Sequence, residues 1–371
     1  MPNNKNELLD IIQLINSENV GPVTFYKLVE SYGSPASALF EAEKIKKIRL
    51  CPRTWAEAEL SRAQAAGIEL IAYTDPRYPP HLKLIEDCPP LLYARGNPEI
   101  LQNTSCVAIV GARNASINGR KTASRIAYDL SNSGVCVVSG MARGIDAAAH
   151  KGAMYARSQQ GETVAVLGCG VDVIYPKENA AVYEQIAAQG CIISELPLGT
   201  APQSNFFPRR NRIVAAMSLG TLVVEATLKS GSLITAKLAQ HMGRWIFAVP
   251  GSPAEARAEG PNRLIKDGAV LAENAADILA RLPKQTPTPA RRKSRISQKP
   301  LVFAANDANL AAETNNADLK IIDYLNHDGV YVDEIIRLSG LTPAEVALQL
   351  LELEMSGRIE RQSGNRVALI K

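Results

Sequence analysis

The sequence is poor in the residues from which metal and redox sites are made. Its 371 residues include only four histidines, His81, His150, His241 and His327, too scattered to build a metal cluster. The six cysteines (Cys51, Cys88, Cys106, Cys136, Cys169, Cys191) contain no C-x-x-C pair, and several sit in apolar, strand-like runs. This pattern fits buried thiols in a reducing cytosol, not a disulfide framework or a zinc site. No apolar run approaches membrane-spanning length, and the opening MPNNKNELLD has no apolar signal core. The expectation is a cytoplasmic protein with no metal and no membrane partner.

Catalytic signatures are equally sparse. There is no Ser–His or Cys–His pairing and no Asp/Glu cluster suited to magnesium. The P-loop pattern is absent, although Gly119-Arg120-Lys121-Thr122 contains a fragment of it. Gly168-Cys169-Gly170 begins like a dinucleotide fingerprint but lacks the third glycine and a helix directly after it. Neither NAD nor FAD is expected. His150 reads as a residue packed on its own helix. The chain is therefore expected to have no catalytic residue and no cofactor.

What charge there is lies unevenly. The formal net charge is +4, but six basic residues and no acids fall between Pro283 and Pro300. They are Lys284, Arg291, Arg292, Lys293, Arg295 and Lys299, and without them the remainder carries about −2. If the folded parts bind nucleic acid, they must do so with a local concentration of cations.

Hydrophobic residues make up 46% and charged residues 21%, and the length is enough for two or three domains. Residues 1–70 read as a small helical domain of the sterile-alpha-motif or helix-hairpin-helix kind, with a Gly-centred turn at Asn19-Val20-Gly21-Pro22 and a helix after Ser34-Pro35. Residues 71–104 are proline-rich and are expected to be a connecting segment with little regular structure. Residues 105–282 then alternate. Strand-like runs fall at 107–110, 135–138, 163–167, 191–194, 222–224 and 246–249. Helix-like stretches at 121–132, 146–157, 178–189, 209–219 and 233–242 lie between them. Wholly apolar strands separated by helices predict an α/β domain, a Rossmann-like doubly wound, mostly parallel sheet with its functional loops at the carboxyl ends of the strands. Residues 283–317 form a basic, Pro-rich linker, and 318–371 run in winged-helix order, ending in a hairpin near 359–370.

Four of the strand-end loops combine small residues with a cation or hydroxyl at a helix start, an arrangement that favours phosphate. The first holds Gly111, Ala112, Arg113 and Ser116, then Gly119, Arg120 and Lys121. In the second, Ser139, Gly140, Ala142, Arg143 and Gly144 precede Asp146, which reads as a helix cap. The third, Asn205, Phe206, Phe207, Arg209, Arg210, Asn211 and Arg212, interleaves rings with guanidinium groups. Bases stack on rings while arginines hold the backbone, which is how single strands are bound. Arg209 and Arg212 are expected to share a helix face. The fourth has Lys229, Ser230, Gly231 and Ser232, followed by Lys237 within the next helix. These residues are the expected DNA-binding set.

At this point the chain resembles a known family. VAIVGARNAS, SGMARGID, FPRRNRIVAAMS, VVEATLKSGSLITAKLA and GRWIFAVPGS occur in the order found in DprA proteins, the bacterial DNA-processing proteins also called Smf. The resemblance implies single-stranded DNA binding during natural transformation, protection of the incoming strand, loading of the RecA recombinase onto it, and a homodimer. The family's Gly-Ser/Thr-Arg element is Gly111-Ala112-Arg113 here, so a methyl replaces one hydroxyl donor. Two rivals differ in class. Nucleotide-cleaving enzymes of the lysine-decarboxylase-like group carry a Pro-Gly-Gly-x-Gly-Thr loop, and Glu225 is the only echo of such a site. A winged-helix transcription regulator needs a basic recognition helix, whereas 343–355 holds Glu345, Glu352 and Glu354 and no basic residue.

Overall fold

A computed structural model describes residues 5–45, 48–156 and 162–283, and, in the C-terminal part, 330–332, 335, 346, 350, 353, 359–362 and 366–369. The chain divides into two compact units, 1–301 and 302–371. The expected linker lies almost wholly outside the described residues.

The first unit begins with four helices: α1 (Lys5–Ile15), α2 (Pro22–Tyr32), α3 (Pro35–Ala42) and α4 (Arg53–Ala65). Helix α3 starts where Ser34 accepts the Ser37 N–H, with Pro35 at the first helical position. Leu9, Ile11, Ile12 and Leu14 bury one stripe of α1 in a core that continues into Tyr93 and Ile192 of the sheet. The helical module and the sheet therefore share one hydrophobic cluster. Buried Glu59 of α4 adds a polar tie, accepting the Leu198 N–H at 2.8 Å.

The sheet comprises β1 (Glu69–Ala72), β2 (Leu91–Gly96), β3 (Cys106–Val110), β4 (Cys136–Ser139), β5 (Thr163–Val166), β6 (Cys191–Ser194), β7 (Gly220–Val223), β8 (Trp245–Ala248) and β9 (Val270–Leu271). Its order is β1-β2-β6-β5-β4-β3-β7-β8-β9. Strands β3 to β9 run parallel, while β1 and β2 are antiparallel additions. The covering helices are α5 (Ile117–Asn132), α6 (Ile145–Met154), α7 (Ala180–Gln189), α8 (Phe206–Met217), α9 (Gly231–His241), α10 (Glu259–Lys266) and α11 (Ala275–Leu279).

The expected connecting segment is corrected here. Residues 91–96 form β2, paired with β6 from Tyr93↔Ser194 to Gly96↔Cys191. Pro89 and Pro90 stand just before the strand, where they interrupt no ladder hydrogen bond, so a proline-rich composition concealed a buried strand. Gly96 has φ 103°, and a Cβ there would lie 2.5 Å from the Gly190 carbonyl oxygen. This close approach requires glycine.

In the second unit the described strands are β10 (Val330–Tyr331), β11 (Ile359–Gln362) and β12 (Arg366–Leu369), with β12 central and antiparallel to both neighbours. Strands β11 and β12 are the expected terminal hairpin. Ile335, Val346, Leu350, Leu353, Ile359 and Val367 form its core.

Candidate nucleic-acid interface

The chain builds β3 to β6 outward on one side of β3, then crosses to β7, β8 and β9 on the other. Such a switch point leaves a crevice at the carboxyl ends of the strands. A cleft of about 720 Å³ occupies it, with an adjoining lobe of about 440 Å³. Arg113, Gly140, Ala142, Tyr175, Phe207 and Arg210 line both lobes.

One wall is aromatic. Helix α8 starts at Phe206, earlier than the sequence indicated, so Phe207 sits in its first turn. The Phe207 ring lies 5.6 Å from the Tyr175 ring at 31°, and the Arg113 guanidinium is 5.5 Å from the Phe207 centroid. Rings and a cation are thus gathered at one point, with Arg113 exposed. The opposite wall is the start of α9, where Ser230 caps the helix and Gly231 and Ser232 face the cleft. Apart from its own helix, no heavy atom of the described residues lies within 4 Å of where a Gly231 Cβ would stand.

Two of the expected anion loops are filled from within the fold. Ser116 caps α5 by accepting the Gly119 N–H at 2.8 Å. Its own N–H and Oγ donate to the Glu225 carboxylate at 2.9 and 2.5 Å. A Cβ on Gly119 would collide with that carboxylate. The α5 N-terminus therefore already holds an anion, Glu225, and Ser116 and Gly119 do not line the cleft. In the second loop, Asp146 accepts the Gly140 and Ala142 N–H groups at 3.1 and 3.3 Å. It organises the loop instead of capping α6, whose N-cap is Gly144 at φ 78°. Burial pushes the Asp146 carboxyl up, while Arg210 and the two N–H groups oppose the shift. Ser139 is buried and donates to the Ile109 carbonyl at 2.6 Å.

The arginines of α8 part company. Arg210 is 7% exposed and donates to the Gly140 carbonyl at 2.5 Å and to the Val166 carbonyl. It forms the floor of the cleft, with Nη1 engaged by both carbonyls and Nε donating to Asn211 Oδ1 at 3.2 Å. Arg212 is turned away from the cleft, in ion pairs with Asp87 at 3.1 Å and with Glu195. Arg209 shares that face, since both act on Glu195, and it is exposed beside the Val20-Gly21-Pro22 turn. The expected shared face is real, but it looks towards the helical module.

The remaining expected residues divide in the same way. Gly111, Ala112 and Asn211 line the main cleft, and Arg143 the adjoining lobe, where it pairs with Glu178 at 3.6 Å. Asn205, Phe206, Lys229 and Lys237 do not line either lobe. Arg120 and Lys121 lie on the outward side of α5, in a separate groove that also includes Gly144. Alternation along the sequence placed these loops at one sheet edge, but it could not say which side chains turn inward. Tyr175 and Arg257 line the cleft and went unread. Arg257 donates to the Asn114 carbonyl at 2.8 Å from 143 residues away, a closeness no local pattern records.

Buried His150 has the character of a core residue. Its Nδ1 is 2.7 Å from Thr163 Oγ1, and burial lowers its pKa to about 3. Among the described residues, no group of three or more His, Cys, Asp or Glu is placed to hold a metal, and no helix is long and apolar enough to cross a membrane.

The chain matches three family models. Residues 69–283 match the DNA recombination-mediator protein A model, 5–62 a DprA-like N-terminal HHH domain, and 305–365 the DprA winged helix domain. It is similar to the Protein Smf of Escherichia coli strain K12, 35% identical over 322 residues, covering 86% of this chain and 82% of that one. The X-ray structure of DNA processing protein A from Streptococcus pneumoniae superposes with a TM-score of 0.61 at 31% identity, covering 76% of this chain and 97% of that one. A DNA processing protein A from Helicobacter pylori, whose structure is described as revealing a single-stranded DNA binding mode, gives a TM-score of 0.52 at 28% identity, covering 57% of this chain and 95% of that one. Matches along nearly all its length, in the order of the motifs at 107, 139, 207 and 223, place this chain in the DNA recombination-mediator protein A family of DprA and Smf proteins.

Proposed function

We propose that this chain binds single-stranded DNA in the switch-point cleft and serves DNA processing during natural transformation. The observation that carries the reading is the juxtaposition of Arg113, Phe207 and Tyr175 opposite the α9 N-terminus. A phosphate set between Arg113 and the Ser230–Ser232 backbone would place its base against the rings. Duplex bases, stacked on one another, cannot reach those rings. The similarity to the Helicobacter pylori protein supports the same ligand.

The finer role rests on the family resemblance. In it, the chain acts in the cytoplasm as a homodimer, protects incoming strands and loads RecA onto them. It acts by binding, without catalysis. Glu225, the one residue that echoes a nucleotide-cleaving site, is engaged by Ser116 and buttresses α5.

The test is a titration with single- and double-stranded oligonucleotides at several salt concentrations. Tighter binding of the single strand is expected, with a log–log salt slope near −0.7 per phosphate neutralised. Equal affinity for duplex would refute the cleft reading. Release of free base from nucleoside monophosphates would refute the non-enzymatic one.

A further inference from the structure

A second groove lies outside the switch-point cleft, between α5 and α6. It encloses about 730 Å³. The two helices meet closely beneath it, for a Cβ on Gly152 would stand 2.1 Å from the Ser124 carbonyl oxygen. Arg120, Lys121, Arg125 and Lys151 line the groove, and among the described residues no carboxylate does. Tyr128 and Tyr155 line it as well, and Tyr155 is 73% exposed, as large a displayed ring as the chain offers among its described residues. Ile117, 64% exposed, completes an apolar rim.

Two of the cations are already partly committed. Arg120 donates to the Ala115 carbonyl and Arg125 to the Glu273 carbonyl. Lys121 and Lys151 enter no ion pair among the described residues. Four positive charges with no carboxylate among them repel one another in the free protein, and a polyanion relieves that repulsion. The groove also joins the cleft. Gly144 lines it, and a Cβ on Gly144 would touch the carbonyl oxygens of Ala112 and Arg113, the residues that wall the cleft. That ridge of backbone borders both depressions.

We propose that the α5–α6 groove is a second subsite for the same single strand. Nucleotides leaving the cleft cross the 112–113/144 ridge, set their phosphates between Lys121 and Lys151, and lay a base on Tyr155. This inference rests on the proposed function of the cleft. It adds a direction of travel, from the rings at Phe207 over Arg113 to α5, and a longer footprint than the cleft alone provides.

The experiment compares a short oligonucleotide that fills only the cleft with one several nucleotides longer, in anisotropy titrations across salt. The variant is Lys121→Ala/Lys151→Ala, and Arg113→Ala is the control for the cleft. Losing two phosphate contacts lowers the salt slope on the long strand by about 1.4, which is about 25-fold in affinity at 0.1 M salt relative to 1 M. The short strand should bind the double variant as it binds the parent. A photoreactive 5-iodouracil placed stepwise along the long strand should crosslink to Tyr155 at one register. The proposal is overturned if the double variant keeps the parental slope on the long strand and no register crosslinks. It is also overturned if the variant instead changes the oligomeric state in sedimentation with DNA binding intact, since the groove would then face a second copy. Failure of the cleft reading looks different. In that case Arg113→Ala leaves short-strand binding unchanged, whatever the groove variant does.

Discussion

Arg113 and Arg210 line the same cleft, yet their removal should have opposite consequences. Arg113 is exposed, and its guanidinium rests near the Phe207 ring with no carbonyl partner among the described residues. Arg113→Ala should leave stability within about 0.5 kcal/mol of the parent, as for most surface substitutions. A lost charge-assisted phosphate contact is worth about 1.5–3 kcal/mol, so affinity for single-stranded DNA should fall about 10- to 150-fold. Arg210 is buried, donates to two backbone carbonyls and is the main positive charge acting on buried Asp146. Arg210→Ala leaves those carbonyls without their donor and the carboxylate without its counter-charge. Breaking a buried charge arrangement in this way costs about 3–5 kcal/mol. At about 2–4 °C per kcal/mol for a unit of this size, Tm should fall by roughly 6–20 °C. Calorimetry gives the first quantity and anisotropy at fixed salt the second. On single-stranded DNA, Arg113→Ala should also reduce the salt slope by about 0.7, while folded Arg210→Ala should retain it. The reasoning fails if Arg210→Ala melts within about 2 °C of the parent and loses slope as Arg113→Ala does. Arg210 would then be a phosphate ligand and its buried hydrogen bonds dispensable.

Other outcomes follow from the same geometry. Phe207→Leu should weaken single-strand binding by about 1–3 kcal/mol through lost stacking with the salt slope unchanged, and a changed slope would show that the ring positions a phosphate instead. Glu225→Ala removes the acceptor for the Ser116 N–H and Oγ. It should lower the urea midpoint by the equivalent of about 1–3 kcal/mol, and an unmoved midpoint would show that water replaces the carboxylate at no cost. His150 is held neutral, with a pKa of about 3. The unfolded chain takes up that proton near its ordinary pKa of about 6.5, so stability is full above that pH. It falls by up to about 1.4 kcal/mol per unit as pH drops towards 3. The stability gap between the parent and His150→Leu should therefore narrow between pH 7 and pH 5, and a constant gap would place the acid sensitivity elsewhere.

Periodicity made the doubly wound sheet legible, because a strand buried on both faces must be apolar throughout and a covering helix must show a stripe. Small residues at the strand ends, with Arg113, Phe207 and Ser230 nearby, marked the sheet edge at which the cleft lies. Local sequence also indicated a helix beginning after Ser34-Pro35 and the terminal hairpin. Three things were decided only by packing. Strand β2 was hidden behind Pro89 and Pro90, and its pairing on one side is with β6, about 100 residues away in sequence. Arg210 and Arg212, two positions apart on α8, point in different directions, and a helix with 3.6 residues per turn sends such neighbours to different faces. Which face meets carbonyls and which meets Asp87 and Glu195 depends on the strands and turns brought up against it. Lastly, the amides expected to hold phosphate at α5 and in the 140–142 loop are taken by Glu225 and Asp146. A sequence displays its donors and acceptors one by one. Only the fold sets which of them satisfy each other and which, like the Arg113 guanidinium, are left facing the cleft.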